Sequence, residues 1–148
     1  QKRMPTGLKH CIPLWKRGWL LSWQTILAIG SGGFLGSVLR AYLNGVINRQ
    51  LPHMLPFGTL GVNVIGSFII GVLFALFMHT SVFSPTMKSF LTTVILGGLT
   101  TYSTFAIETF WLFNQGSLML ALANALLNLF GTIIAAGSGY KIIDFLLK

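Results

Sequence analysis

Three polar residues of the last apolar stretch, Asn124, Asn128 and Thr132, stand four apart. On a helix that spacing is one continuous stripe, about 12 Å long at a rise of 1.5 Å per residue. Asn63 adds a further carboxamide inside another apolar stretch, in "GTLGVNVIGS". Carboxamides and hydroxyls can hydrogen-bond a solute or one another, and they carry no charge. They are costly against lipid unless they face protein or water. The stripe reads either as hydrogen-bonded glue between helices or as the wall of a track for water or a small solute. Its in-line spacing favours the track.

A second feature is "GGLTTYSTF", residues 97–105. Gly97 and Gly98 are followed by hydroxyls at Thr100, Thr101, Tyr102, Ser103 and Thr104. Glycines and β-branched residues are poor helix material. A helix broken inside a membrane frees carbonyls and amides. Such a break is tolerated only where it is buried in protein or lines a cavity, and broken helices commonly make ion sites. The bland alternative is a continuous helix bent by its serine and threonines. The segment reads as one that handles an ion.

Ionisable groups are few. Glu108 and Asp144 are the only acids, set against ten Lys and Arg, for a net charge of +8. Glu108 lies one turn beyond Phe105, and Arg40 stands near the end of an apolar run in "SVLRAYLN". Each is either an interfacial residue reaching out to water or a charge at a pore mouth. A proton-coupled exporter needs a carboxylate at depth, and Glu108 is its one candidate. His10, His53 and His79 lie outside the expected spans, and neither acid has an evident partner. No metal, nucleotide or nucleophile constellation stands out. Cys11 is the only cysteine, so there is no intramolecular disulfide and no cysteine-based metal site.

The elements that must position these groups are set by composition. Apolar types make up 53% of the 148 residues and charged types 8%, against about 25% charged in a soluble domain. This is the make-up of an integral membrane protein. Each crossing needs about 20 apolar residues, so the length allows four helices and one domain. The apolar runs predict spans over 24–47, 57–78, 87–113 and 117–143, with Pro52, Pro56 and Pro85 at boundaries. Small residues recur at four-residue spacing: Gly32 and Gly36, then Ser67, Gly71 and Ala75, then Gly131, Ala135 and Gly139. Such faces let helix backbones approach closely, so a tight all-α bundle is expected, with its third helix broken near mid-membrane.

Residues 1–23 form a basic, aromatic tail, with five Lys and Arg and with Trp15, Trp19 and Trp23. It reads as an approach to the membrane interface. A basic region before an apolar one has the order of a signal peptide, but the apolar run continues past the usual length of one. The surplus of positive charge serves topology and anionic lipid headgroups in preference to nucleic acid.

The segments "GGFLGSVLR" (32–40), "PFGTLGVNVIGSF" (56–68) and "GGLTTYSTFAIET" (97–109), in this order, resemble the CrcB/Fluc family of fluoride channels. The resemblance covers about residues 24–145 and leaves the tail outside. It implies a four-helix subunit of a bacterial plasma membrane, paired as an antiparallel dimer with two fluoride pores at the interface. It implies pore positions at Thr59, Asn63, Tyr102, Phe105, Asn124, Asn128 and Thr132, with Ser103 and Thr104 of the hydroxyl run beside them. It places Arg40 and Glu108 at a vestibule. It assigns the carbonyls of Gly97 and Thr100 to a structural sodium ion. Tyr102 departs from the family pattern, which has Phe there.

Two other readings compete. A small dual-topology exporter of cationic compounds would carry a glutamate in its first span, and this chain has none there. A non-transporting membrane subunit would satisfy its polar residues entirely within the protein. Charge also bears on orientation. Four spans put Lys2, Arg3, Lys9, Lys16, Arg17, Lys88, Lys141 and Lys148 on one side, and Arg40 and Arg49 on the other. Eight against two favours one orientation, with that side in the cytoplasm. Without the tail the count is three against two, near the balance that an antiparallel homodimer needs. With an effective tail, the expected pairing is a heterodimer with an oppositely oriented homologue.

Overall fold

The computed structural model describes residues 23–51 and 54–148, which are mostly helical with no strand among them. The tail expected over 1–23 lies outside the described residues, except for Trp23. The elements are α1 (Trp23–Gln50), α2 (Phe57–His79), α3 (Pro85–Ser89), a wider π-type stretch (Phe90–Leu96), α4 (Gly97–Leu99), α5 (Tyr102–Asn114) and α6 (Leu118–Leu146). Four helical stretches are long and apolar enough to cross a membrane: Ile26–Gln50, Phe57–His79, Phe90–Asn114 and Leu118–Leu146. The chain is a multi-pass membrane protein. The first and last spans run three residues further at their C-terminal ends than the apolar runs suggested. His79 becomes the last residue of α2 and no longer lies outside the spans.

The distribution of side chains is the reverse of a soluble protein's. Phe34, Phe110, Ile134 and Phe145 are exposed, while Thr59 and Asn124 are each 1% exposed. Lipid is an adequate solvent for the first group and a poor one for the second. The polar groups therefore sit where helices meet.

The closest meeting is between α2 and α6, which run parallel. A methyl on Gly71 would overlap the Ala136 carbonyl oxygen, and one on Gly139 would overlap the Phe68 carbonyl oxygen. Each glycine admits the other helix's main chain, as the small-residue faces predict. At the end of this pair His79 Nε2 lies 2.7 Å from Asp144 Oδ1, and Lys148 pairs with the other carboxylate oxygen at 2.8 Å. Asp144 thus has partners that the sequence reading did not find. Gly98 does the same service for α1: a methyl there would lie 3.0 Å from the Gly33 carbonyl oxygen and 3.1 Å from Gly36 Cα.

Between α4 and α5 the backbone straightens. Thr100 (φ −80°, ψ 155°) and Thr101 (φ −148°, ψ 110°) are extended. The Thr101 hydroxyl then caps α5, accepting from Thr104 N at 3.3 Å, as a threonine does at a helix start. Gly66 of α2 leaves room beside this segment, because a methyl there would meet Thr100 Cγ2.

Candidate functional site

The extended pair borders a cleft of about 450 Å³, lined by Asn63, Ser67, Thr100, Thr101, Tyr102, Phe105, Ala125, Asn128, Leu129 and Thr132. Three elements build it: α2, the 100–105 turn and α6. No charged side chain lines it among the described residues. Tyr102 and Phe105 lie 5.4 Å apart, edge to face at 65°. Tyr102 is 79% exposed, so its ring stands at the open side. Thr132 donates to the Asn128 carbonyl at 2.6 Å, which turns its hydroxyl hydrogen back into α6.

The amides make one directional chain. Thr101 N–H donates to Asn63 Oδ1 at 2.8 Å. Asn63 Nδ2 donates to Asn128 Oδ1 at 3.0 Å, and Asn128 Nδ2 to Asn124 Oδ1 at 3.1 Å. Asn124 Nδ2 donates to Thr109 Oγ1 at 2.8 Å, and Thr109 to the Phe105 carbonyl at 2.8 Å. Each group donates to the next, so the run begins and ends on the third span. Asn124 sits behind the cleft, in the middle of this run. Within the α5 cap, Thr101 Oγ1 donates to Thr104 Oγ1 at 2.9 Å. The Thr104 oxygen being the acceptor there, its own hydrogen is left to donate elsewhere. Ser103 is exposed, with its oxygen 3.5 Å from Thr101 Oγ1.

Thr59 and Glu108 lie apart from this cleft. Thr59 Oγ1 donates to Glu108 Oε1 at 2.8 Å, giving this acid, too, a partner that the sequence did not reveal. Glu108 Oε2 is buried without a hydrogen-bond partner among the described residues. The carboxylate borders a second cleft of about 370 Å³, with Asn48, Trp111 and Gln115 among its walls. Two α1 residues support it. Asn48 Nδ2 donates to Asn44 Oδ1 at 2.6 Å, and Asn48 Oδ1 accepts from Gly58 N at 2.8 Å. Asn44 Nδ2 reaches Thr59 Oγ1 at 3.5 Å. Sequence reasoning missed Asn44 and Asn48, although they share the four-residue spacing of Asn124 and Asn128. It ended the first span at residue 47 and so read Asn48 as loop. It also missed Thr109, one turn from Phe105, and treated Ser67 only as a small packing residue.

Arg40 lines neither cleft. Its Nη1 donates to the Thr100 carbonyl at 3.2 Å, sixty residues along the chain. This bears on whether Gly97 and Thr100 suit a sodium ion. In a continuous helix the Gly97 carbonyl would accept from Thr101 N, and that N–H goes to Asn63 instead. The Gly97 oxygen is thereby released. The Thr100 carbonyl has a second lone pair beside the one facing Arg40. Two carbonyl oxygens suit a hard cation, so the donor set fits, although the guanidinium on the Thr100 oxygen is a charge of the same sign.

Comparison with known proteins covers this whole assembly. A family model described as "CrcB-like protein, Camphor Resistance (CrcB)" matches residues 27–140. A protein of Sulfurimonas denitrificans named fluoride-specific ion channel FluC is 62% identical over 128 residues, 86% of this chain and 99% of that one. A protein of the same name from Nautilia profundicola is 46% identical, over 86% of this chain and 100% of its own length. One from Campylobacter jejuni is 42% identical over 119 residues, 80% of this chain and 97% of that one. The match takes in both clefts, the extended turn and most of every span, and it runs nearly end to end in the relatives. This chain belongs to the CrcB family.

Proposed function

We propose that this chain is a passive channel for fluoride, not an enzyme, and that it relieves fluoride toxicity by letting the ion leave the cell. The observation that carries this reading is the cleft of amides, hydroxyls and two aromatic rings without a charged wall. The relatives, named as fluoride-specific channels, support it. Fluoride is small and strongly hydrated, so shedding water requires replacement donors. The hydroxyls of Tyr102, Ser103 and Thr104, and the positive edges of the Tyr102 and Phe105 rings, supply them on one wall. Asn63, Asn128 and Thr132 form the opposite wall, with Asn124 behind it as the next amide of the polar track. A pore must bind well enough to admit an ion and weakly enough to release it, which suits uncharged donors. Thr59 marks the way toward the second cleft. Glu108 and Arg40 serve as the charges of its vestibule.

The cleft is open on the side of Tyr102, and a second subunit closes it in this reading. The partner is an antiparallel copy, or an oppositely oriented homologue where the basic tail biases insertion. The carbonyls of Gly97 and Thr100 from both subunits would hold one sodium ion. Bound there, the ion would supply a fixed positive charge beside the extended turn. The assembly sits in a bacterial plasma membrane, and its apolar exterior contacts lipid.

The test is fluoride release from liposomes loaded with potassium fluoride and carrying the purified full chain, followed with a fluoride electrode. Release of fluoride but not chloride is expected. One feature points the other way: the amide run is satisfied within the subunit, as in a non-transporting membrane protein. Liposomes that retain their fluoride would decide for that reading.

A further inference from the structure

One side chain holds the straightened backbone. Asn63 Oδ1 accepts the Thr101 N–H at 2.8 Å, and its Nδ2 donates to the Thr101 carbonyl at 3.1 Å. A single amide thus pairs with both polar groups of one residue, as a neighbouring strand would. The second Nδ2 hydrogen goes to Asn128 Oδ1 at 3.0 Å. A carboxamide has two hydrogens, and both are committed inside the subunit, in a residue 8% exposed.

The Thr101 N–H is also the group that an uninterrupted helix would direct to the Gly97 carbonyl, four residues back. Asn63 and Gly97 therefore compete for one hydrogen. Asn63 Oδ1 holds that hydrogen, and the bond from Nδ2 to the Thr101 carbonyl adds to the grip without being needed to free Gly97. Gly66, one turn further along α2, helps by leaving room for the Thr100 methyl group. We infer that Asn63 is a positioning residue: it holds the Thr101 peptide out of the helix and keeps the Gly97 carbonyl free for a cation. The cation part rests on the sodium site proposed above.

The experiment uses the full chain in detergent, with two readouts. One is the thermal midpoint in sodium chloride against N-methylglucamine chloride. The other is the chemical shift of the carbonyl carbon of Gly97, which reports whether that oxygen accepts a hydrogen bond. The native protein should melt higher in sodium. Asn63→Ala should lose that increment, and its Gly97 carbon should move toward the helical, hydrogen-bonded value. Asn128→Ala removes a hydrogen bond from the same amide but leaves Thr101 held, so it should keep the sodium increment. Should Asn63→Ala fail to fold, Asn63→Asp carries the test. It retains the acceptor for Thr101 N–H, and both the sodium increment and the native Gly97 shift should persist. A full sodium increment in Asn63→Ala, or an unmoved Gly97 carbon there, overturns the inference. So does loss of both signals in Asn63→Asp. A native protein indifferent to sodium overturns the sodium site alone, and the Gly97 carbon then still decides the role of Asn63.

Discussion

Replacing Gly71 by alanine should drive α2 and α6 apart, and the structure sets the scale of the effect. The added methyl would overlap the Ala136 carbonyl oxygen, which is main chain and cannot rotate away. Gly139→Ala meets the Phe68 carbonyl oxygen in the same manner. Overpacking a tight contact costs about 1–3 kcal/mol, and alanine returns up to about 1 kcal/mol of helix propensity over glycine. With the full return the net loss should be roughly 0–2 kcal/mol for either variant, which leaves each about 1–3 kcal/mol less stable than an alanine placed where nothing clashes. Both substitutions force the same separation, so together they should cost less than their sum. Gly137, on the same helix, has nothing within 4 Å of a built methyl. Gly137→Ala should therefore be neutral or stabilising. The separation also has a functional reading. The Asn63–Asn128 bond spans 3.0 Å, so about half an ångström of opening takes it past the limit of a hydrogen bond. Unfolding in mixed micelles with rising denaturing detergent, followed by far-UV circular dichroism, gives the stabilities, and fluoride release from liposomes gives the activity. If Gly71→Ala matches Gly137→Ala in both, the close contact does not hold the bundle and the reasoning fails.

Phe105→Ala and Asn128→Ala should each slow fluoride release by roughly tenfold, the ~1.4 kcal/mol of about one lost favourable contact, with assembly by size-exclusion chromatography unchanged. Normal release from both would move the ion path out of this cleft. Arg40→Ala should lower stability by about 1.5–3 kcal/mol, as expected for a hydrogen bond to a charged group, and Arg40→Lys should restore it only in part because the planar guanidinium is lost. Arg49→Ala, at the exposed end of α1, is the reference; equal stabilities for the two alanine variants would show that the Thr100 contact contributes nothing. Orientation can be read by labelling single cysteines at each terminus in intact cells, with Cys11→Ser as background. The full chain should label from one side and residues 24–148 equally from both; one-sided labelling of the shorter chain refutes the homodimer.

Four crossings follow from the sequence by itself, because an apolar run of the right length has no better solvent than lipid, and prolines mark where it must stop. The stripe of Asn124, Asn128 and Thr132 was legible for a similar reason: a four-residue spacing repeats within one helix and needs no partner to be seen. The same rule could have found Asn44 and Asn48, had the first span been carried to Gln50. Periodicity shows which face of a helix is polar, but not what that face meets. That Asn63 pairs with the Thr101 peptide, thirty-eight residues away, depends on how α2 is rotated and how closely Gly66 lets it approach. That Arg40 reaches the Thr100 carbonyl depends on Gly98 drawing the third span onto α1. The sequence reading grouped Thr59 with Asn63 and Asn128 at the pore and set Glu108 apart with Arg40 at a vestibule. Only the packed bundle joins Thr59 to Glu108, apart from the cleft of Asn63 and Asn128, because neighbours across helices are decided by tilt, rotation and separation, none of which a single helix encodes.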